Sequence, residues 1–482
     1  MLYKRPKKVY NRYDKFEAGS VPVNHQNPNQ TRTAPKRSIQ PEQVLALGFL
    51  VAIMLGGLLL TLPVASTSGS SVGLLGAMFT ATSAVCVTGL NIVDIGLSYS
   101  GLGQGIILVL IQVGGLGFMV FATLAMTMLG KRISLRSRML IRDSMNQNTL
   151  SGLVRLTLWT ALLVFGVELA GACLLMIRFI PLYGVGKGIW FGFFHSISAF
   201  CNAGFDLLGN FTSVVPLQND PLIIGTLILL IITGSMGFVV IMECAGRPFN
   251  HTKLSLHTKL VLLSTAVLLL GGALIFGVLE WNNPDTIGSM TVGNKLLNSL
   301  FQSTTCRTAG FCAVDQGKLT DSSKLISCIL MFIGASPAST GGGVKTTTFS
   351  MVLLLMATVA SGREDYVLFK KRVARDVVSR AVTIIFIMLG ALIASTCIIS
   401  VLERRSGMNL IDILFEVTSA VSTTGLSALG SASFSVPSQL LLMLLMYLGR
   451  VGPLTLAYAL SKRLSNAAQN RIHYPEENIM IG

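Results

Sequence analysis

Apolar residues in this chain gather into long uncharged runs rather than alternating with polar ones. A helix that crosses a bilayer needs about 20 such residues. Uncharged runs of that length lie at 44–64 and 95–130, with further apolar runs at 156–177, 221–242, 260–279, 325–361, 381–402 and 437–461. Three of these runs hold a single charge, namely Glu168, Lys345 and Arg450. The pattern predicts eight spans, so both termini lie on one side. The first run follows a long polar segment and lacks a small-residue cleavage site, which argues against a signal peptide.

Between the first and second span of each pair lies a short, moderately apolar segment ending in a glycine motif. The four motifs are SAVCVTGL (83–90), SAFCNAGF (198–205), TTCRTAGF (304–311) and SAVSTTGL (419–426). Aligned on Gly89, Gly204, Gly310 and Gly425, they share a Ser or Thr six positions earlier and Leu or Phe just after. Ten positions earlier stand Phe79, Phe194, Leu300 and Phe415. A second glycine follows in each next span: Gly114, Gly234, Gly334 and Gly449. Repetition in register is the signature of one unit copied. A short helix that enters the bilayer without crossing leaves irregular backbone at membrane depth. Such backbone is tolerated only where protein buries it or where it lines a watery cavity. Glycine lets carbonyls turn toward a common axis, and a ring of carbonyls can replace a cation's hydration shell.

Composition narrows the class. The chain has 482 residues, of which 12% are charged, about half the share in soluble proteins. That argues against a cytosolic enzyme, a secreted disulfide scaffold or a disordered protein. The net charge of +16 is distributed by side. The N-terminal tail, 131–155, 243–259, 362–380 and 462–482 together carry +17, and the rest carries −1. This places both ends in the cytoplasm by the positive-inside rule and makes nucleic acid an unnecessary partner. The eight cysteines include no CxxC pair, and the histidines do not cluster with them, so no metal site or disulfide framework is indicated.

The glycine motifs, QVGGLGF (112–118), ASPASTGGGVKTTTF (335–349) and YLGRVGPLT (447–455) together resemble the Trk/Ktr/HKT superfamily of potassium transporters. The Ktr-type membrane subunits are the nearest in pattern. The resemblance covers the chain from about residue 41 onward. It implies an all-α polytopic membrane protein with eight transmembrane helices and four re-entrant pore helices, arranged as four pseudo-symmetric repeats around a central pore. The units expected are a mobile cytoplasmic tail (1–40), repeats at 41–130, 154–246, 254–361 and 374–464, and a cytoplasmic C-terminus (465–482). The implied filter positions are Val87, Thr88, Gly89, Asn202, Ala203, Gly204, Thr308, Ala309, Gly310, Thr423, Thr424 and Gly425. In the family, Ser at the first filter glycine accompanies sodium permeation. Gly at all four positions therefore implies potassium selectivity. The resemblance further implies a homodimer in the cell membrane, a cytosolic nucleotide-binding regulatory ring, and no cofactor in this chain.

Residues 334–347 cannot form an unbroken helix. GGGVKT departs from the phosphate-loop pattern because Val344 precedes Lys345 and no strand comes before it. The segment reads as a kink or as an intramembrane gating loop, with Gly334, Ser336, Pro337, Gly341, Gly342, Gly343 and Lys345 as its key residues. Arg450, costly at membrane depth, reads as an electrostatic barrier or latch in the path, or as a structural pair or backbone cap with Glu168 or the broken third repeat. Arg307 is expected to brace its loop against an acid. Glu168 reads as a buried hydrogen-bond partner or as a proton or sodium site. Asp94, Asp206, Asp220, Asp315, Asp321, Asp412 and Glu416 are expected to give the outer mouth a cation-attracting field. The reading is a non-enzymatic, potassium-translocating subunit. A sodium- or proton-coupled symporter of the same fold is its alternative. A four-chain channel and a membrane-embedded enzyme fit less well, since one chain holds four motifs and no catalytic groups converge.

Overall fold

The computed structural model describes residues 41–117, 153–250, 254–453 and 455. The expected tail (1–40), the end of the first repeat beyond 117 and the C-terminal segment (465–482) lie outside the described residues. In chain order the longer helices are α1 (Pro41–Leu60), α2 (Leu74–Cys86), α3 (Gly101–Leu116), α4 (Leu153–Tyr183), α5 (Val185–Phe200), α6 (Pro221–Met236) and α7 (Phe238–Asn250). They continue as α8 (Leu256–Glu280), α9 (Val292–Thr305), α10 (Asp321–Phe332), α11 (Thr346–Ala360), α12 (Arg375–Leu402), α13 (Leu410–Ser422) and α14 (Val436–Val451). A small antiparallel hairpin, Val367–Leu368 with Lys371–Arg372, joins α11 to α12.

Within α1, α4, α8 and α12, the stretches Gln43–Leu60, Thr157–Tyr183, Leu256–Glu280 and Arg375–Leu402 are long and apolar enough to cross a membrane. Large apolar side chains such as Leu55, Leu270, Leu274 and Phe386 stand exposed on them. Water would not tolerate so continuous an apolar surface, whereas lipid solvates it. The chain is a multi-pass membrane protein.

The short helices α2, α5, α9 and α13 are the opposite case. They are too short to cross, and their C-terminal halves are almost wholly buried. Phe79, Phe194 and Phe415 are completely enclosed. Buried threonines on these helices turn their hydroxyls onto the preceding turn, as Thr82 does to Met78 O (2.7 Å) and Thr418 to Leu414 O (2.6 Å). Backbone acceptors thus satisfy side chains that would otherwise be stranded in an apolar interior.

Each long helix is tied at its far end to the start of the next inner helix. Ser100 donates to Val64 O (2.8 Å) and Arg178 pairs with Asp220. Glu280 accepts from Thr320 N (3.1 Å) and Oγ1 (2.7 Å), and Glu403 accepts from Ser435 N (2.8 Å). Ser100, Asp220, Thr320 and Ser435 are the residues that open α3, α6, α10 and α14.

Three apolar runs read as spans are interrupted at a glycine. The run 221–242 bends by 103° at Gly237, and α14 ends at Gly452. Helix α3 likewise stops at Gly117. Gly117, Gly237 and Gly452 have φ of 82°, 93° and 89°, a conformation that suits glycine and ends a helix. Each stands three residues after the glycine already noted in its span.

Candidate functional site

The four motifs end their short helices in one way. Val87, Asn202, Thr308 and Thr423, two residues before the glycine, have φ of 56°, 59°, 66° and 52°. Left-handed backbone at Val or Thr is strained, and such strain gathers at functional sites. The glycines follow with φ of 98°, 68°, 82° and 92°.

The glycines also touch in sequence. A Cβ added to Gly89 would lie 2.6 Å from Ala203 O, one on Gly204 2.7 Å from Ala309 O, and one on Gly310 2.6 Å from Thr424 O. One on Gly425 would collide with Thr88 O. Each glycine thus abuts the carbonyl just before the next glycine, and the fourth returns to the first. The four glycines meet Thr88, Ala203, Ala309 and Thr424 in this closed ring. Above it lies a cavity of about 450 Å³, bordered by the four glycines and by Asn91, Asp206, Phe211 and Asp315.

The hydroxyl six positions before the glycine braces the motif. Ser83 accepts from Gly89 N (3.0 Å) and Ser419 from Gly425 N (2.9 Å), while Ser198 donates to Phe205 O (2.7 Å). In the third motif the neighbour Thr305 does this work, donating to Phe311 O (2.7 Å), and the aligned Thr304 bonds within its helix. The second glycines let α3, α6 and α14 lie on the short helices. A Cβ at Gly114, Gly234 or Gly449 would collide with Val85 O, Phe200 O or Val421 O. Gly334 departs from the rule and packs on Gly342 O, because its own span folds back there.

That fold-back is the loop between α10 and α11. Gly334 N bonds Val344 O (2.9 Å), Ser336 N bonds Ser235 O (3.1 Å), and Ala338 O accepts from Phe238 N (2.8 Å). Pro337 O faces Gly237, where a side chain would come within 2.5 Å. Thr340 Oγ1 reaches Phe200 O (3.1 Å). Gly341 and Gly342 press on the side chains of Thr308 and Thr423, and Gly343 turns the chain with φ 67°. Lys345 Nζ donates to Gly341 O (2.6 Å). Arg450 donates to Thr340 O and Gly114 O. Gly341 and Gly342 therefore lie directly against the motif side chains Thr308 and Thr423, none of which borders the 450 Å³ cavity, and Arg450 is bonded to the loop at Thr340. Beyond them a second cavity of about 210 Å³ is bordered by Lys345, Thr348 and Arg450.

Arg307 and two of the outer acids depart from expectation. Arg307 is buried, and its guanidinium has no hydrogen-bond partner among the described residues, so no acid braces it. Glu168 takes both amide contacts of Gln112 Nε2 (3.1 and 3.0 Å) and one from Cys201 Sγ (3.7 Å). Arg450 caps backbone carbonyls, one of them in the broken third repeat, and does not pair with this carboxylate. The outer acids divide by task. Asp206 and Asp315 border the upper cavity. Asp94 and Asp220 cap helices. Asp412 forms a buried ion pair with Lys324 (2.7 Å), and Glu416 is enclosed with Ser427 (2.7 Å) and Ser431. Sequence reasoning missed the ties of Glu280 and Glu403, although an acid closing an apolar run is a visible signal.

Residues 24–472 match the family model described as TrkH, cation transport protein. The chain is 37% identical to the potassium/sodium uptake protein NtpJ of Enterococcus hirae over 450 residues, covering 93% of this chain and 98% of that one. It is also 37% identical to the Ktr system potassium uptake protein B of Bacillus subtilis over 443 residues, covering 92% and 97%. The crystal structure of the potassium transporter TrkH from Vibrio parahaemolyticus shares the fold, with a TM-score of 0.66 at 17% identity over 90% of this chain and 87% of that one. The chain belongs to the TrkH family of cation transport proteins.

Proposed function

We propose that this chain is the potassium-translocating subunit of a cation uptake system, with one pore per chain formed by four pseudo-symmetric repeats. Eight transmembrane segments and four re-entrant helices enclose that pore, and both termini face the cytoplasm. The observation that carries the reading is the closed ring of Gly89, Gly204, Gly310 and Gly425 against the carbonyls of Ala203, Ala309, Thr424 and Thr88. A cation at its axis exchanges water for carbonyl oxygens. The C-terminal ends of α2, α5, α9 and α13 add partial negative charge there. The loop 334–347, with Lys345 and Arg450, is the gate beneath it, and transport needs no chemical step by the protein. The relatives from Enterococcus hirae and Bacillus subtilis are named as a potassium/sodium uptake protein and a potassium uptake protein, and potassium, common to both names, is the cargo they support.

The chain works as a homodimer on a cytosolic nucleotide-binding regulator ring. The exposed basic hairpin of Lys370, Lys371 and Arg372 supplies charge for that docking, and it also suits anionic lipid. The test is growth rescue of cells lacking potassium uptake, at limiting potassium, with and without sodium and a regulator subunit. Rescue is expected. Failure in every condition, with the protein present in the membrane, overturns the reading.

A further inference from the structure

We infer that side chains just beneath the glycine ring form a second cation site, and that its occupation and the seating of loop 334–347 exclude one another. This rests on the reading of the chain as a cation pore. Asn202, Thr308 and Thr423 hold equivalent positions, two before the glycine, and all three are completely buried. The first motif has Val87 there and offers no side-chain oxygen. The site is therefore three-sided.

These side chains meet the loop at its two barest residues. A Cβ on Gly341 would collide with Thr308 Oγ1 and lie 3.3 Å from Asn202 Nδ2. A Cβ on Gly342 would collide with Thr423 Oγ1 and lie 3.2 Å from its Cβ. Only a segment without side chains can seat here. Its Cα atoms occupy the space next to the hydroxyls but offer them no hydrogen-bond partner.

The hydrogen-bond pattern shows what is missing. Asn202 Nδ2 donates to Arg307 O (3.3 Å) and Thr308 Oγ1 (3.4 Å). Asn202 Oδ1 and Thr423 Oγ1 are buried and have no hydrogen-bond partner among the described residues. Native interiors rarely strand such oxygens. A partly dehydrated monovalent cation fits the need: it takes oxygen ligands, and the ends of α5, α9 and α13 favour positive charge at that point.

The seated loop opposes such a cation twice. Gly341 and Gly342 fill its place, and the Lys345 ammonium, held on Gly341 O at 2.6 Å, brings a like charge. Both leave together when the loop moves. A cation stepping down from the ring therefore competes with the loop, and the transported ion itself favours opening.

The test uses the full chain in liposomes of phosphatidylethanolamine and phosphatidylglycerol, with potassium as the probe. Ser339→Cys reports the loop, read as labelling by an impermeant maleimide above the background of the unmodified chain. Raising potassium at constant ionic strength should speed labelling several-fold. Thr423→Val, a shape that Val87 shows the motif accepts, should raise the half-maximal potassium tenfold or more. Labelling that ignores potassium, or that is unchanged in Thr423→Val, overturns the inference. Should Ser339→Cys not fold, tracer rubidium uptake by Thr423→Val and Asn202→Ala decides. A raised half-saturation supports the site, and an unchanged half-saturation overturns it. Absence of any cation flux through the unmodified chain instead overturns the pore reading on which the site rests.

Discussion

The guanidinium of Arg450 bridges the Thr340 carbonyl of the loop and the Gly114 carbonyl at the end of α3. One side chain on the fourth repeat thereby fastens the broken helix of the third to the first. A cation at this depth is satisfied by carbonyl dipoles and needs no carboxylate. Hydrogen bonds from a charged donor contribute about 1.5–3 kcal/mol each. Arg450→Gln should therefore shift the loop toward its released state by roughly tenfold or more. Tracer rubidium leak through liposomes containing the variant should rise accordingly. An unchanged leak would show that the latch lies elsewhere.

Gly425→Ala sets a side chain against Thr88 O from a backbone with φ 92°. Both the clash and the strained φ oppose it, at about 1–2 kcal/mol for the φ alone. The ring must open at one joint. We expect potassium-to-sodium discrimination to fall while the chain still reaches the membrane. Competition of sodium with rubidium uptake measures this, and an unaltered ratio would dissociate the ring from selectivity.

Glu168 is held by Gln112 and Cys201, with no basic hydrogen-bond partner among the described residues. Glu168→Gln replaces one acceptor by a donor facing a donor. It should lower stability by about 1–3 kcal/mol, seen as an earlier thermal transition in detergent. The sodium and proton dependence of uptake should stay as in the unmodified chain. Loss of that dependence in this variant alone would favour the coupled-symporter alternative.

Glu403 lies just beyond α12. Burial pushes its carboxyl up, but hydrogen bonds from Ser435 and Ser438 outweigh burial and hold it below the usual range. Folding therefore favours the charged form. Its contribution is full above about pH 4.3, the unfolded value, and is lost as pH falls through the lower folded value. Glu403→Gln should lower the thermal midpoint at pH 7 by an amount worth on the order of 2 kcal/mol. The difference from the parent should shrink toward pH 3. A gap that persists at low pH would mean that packing, not charge, sets the effect.

The repeat was legible because its physics is local. A glycine three to five residues past the end of a short helix, a hydroxyl six positions earlier in three of the motifs and a second glycine in three of the next spans each answer to one backbone contact. What stayed hidden depends on partners distant in sequence. Asp412 looks like an outer-mouth acid until Lys324 is placed beside it. Glu416 does so until Ser427 and Ser431 close over it. The bend at Gly237 was masked by the apolar residues on both sides, since hydropathy reports the solvent and not the axis. Arg307 is the reverse case: its position invited an acid, and the fold brings none among the described residues.

The contact between Gly425 and Thr88 also bears on biosynthesis. It joins residues near opposite ends of the chain, so the ring cannot close until the fourth motif has left the ribosome. Closures between residues so far apart in sequence are slow. A truncated product would retain an unsealed, polar gap inside the membrane, which is a natural target for membrane quality control. The fourth motif therefore supplies the contact that closes the ring on the first.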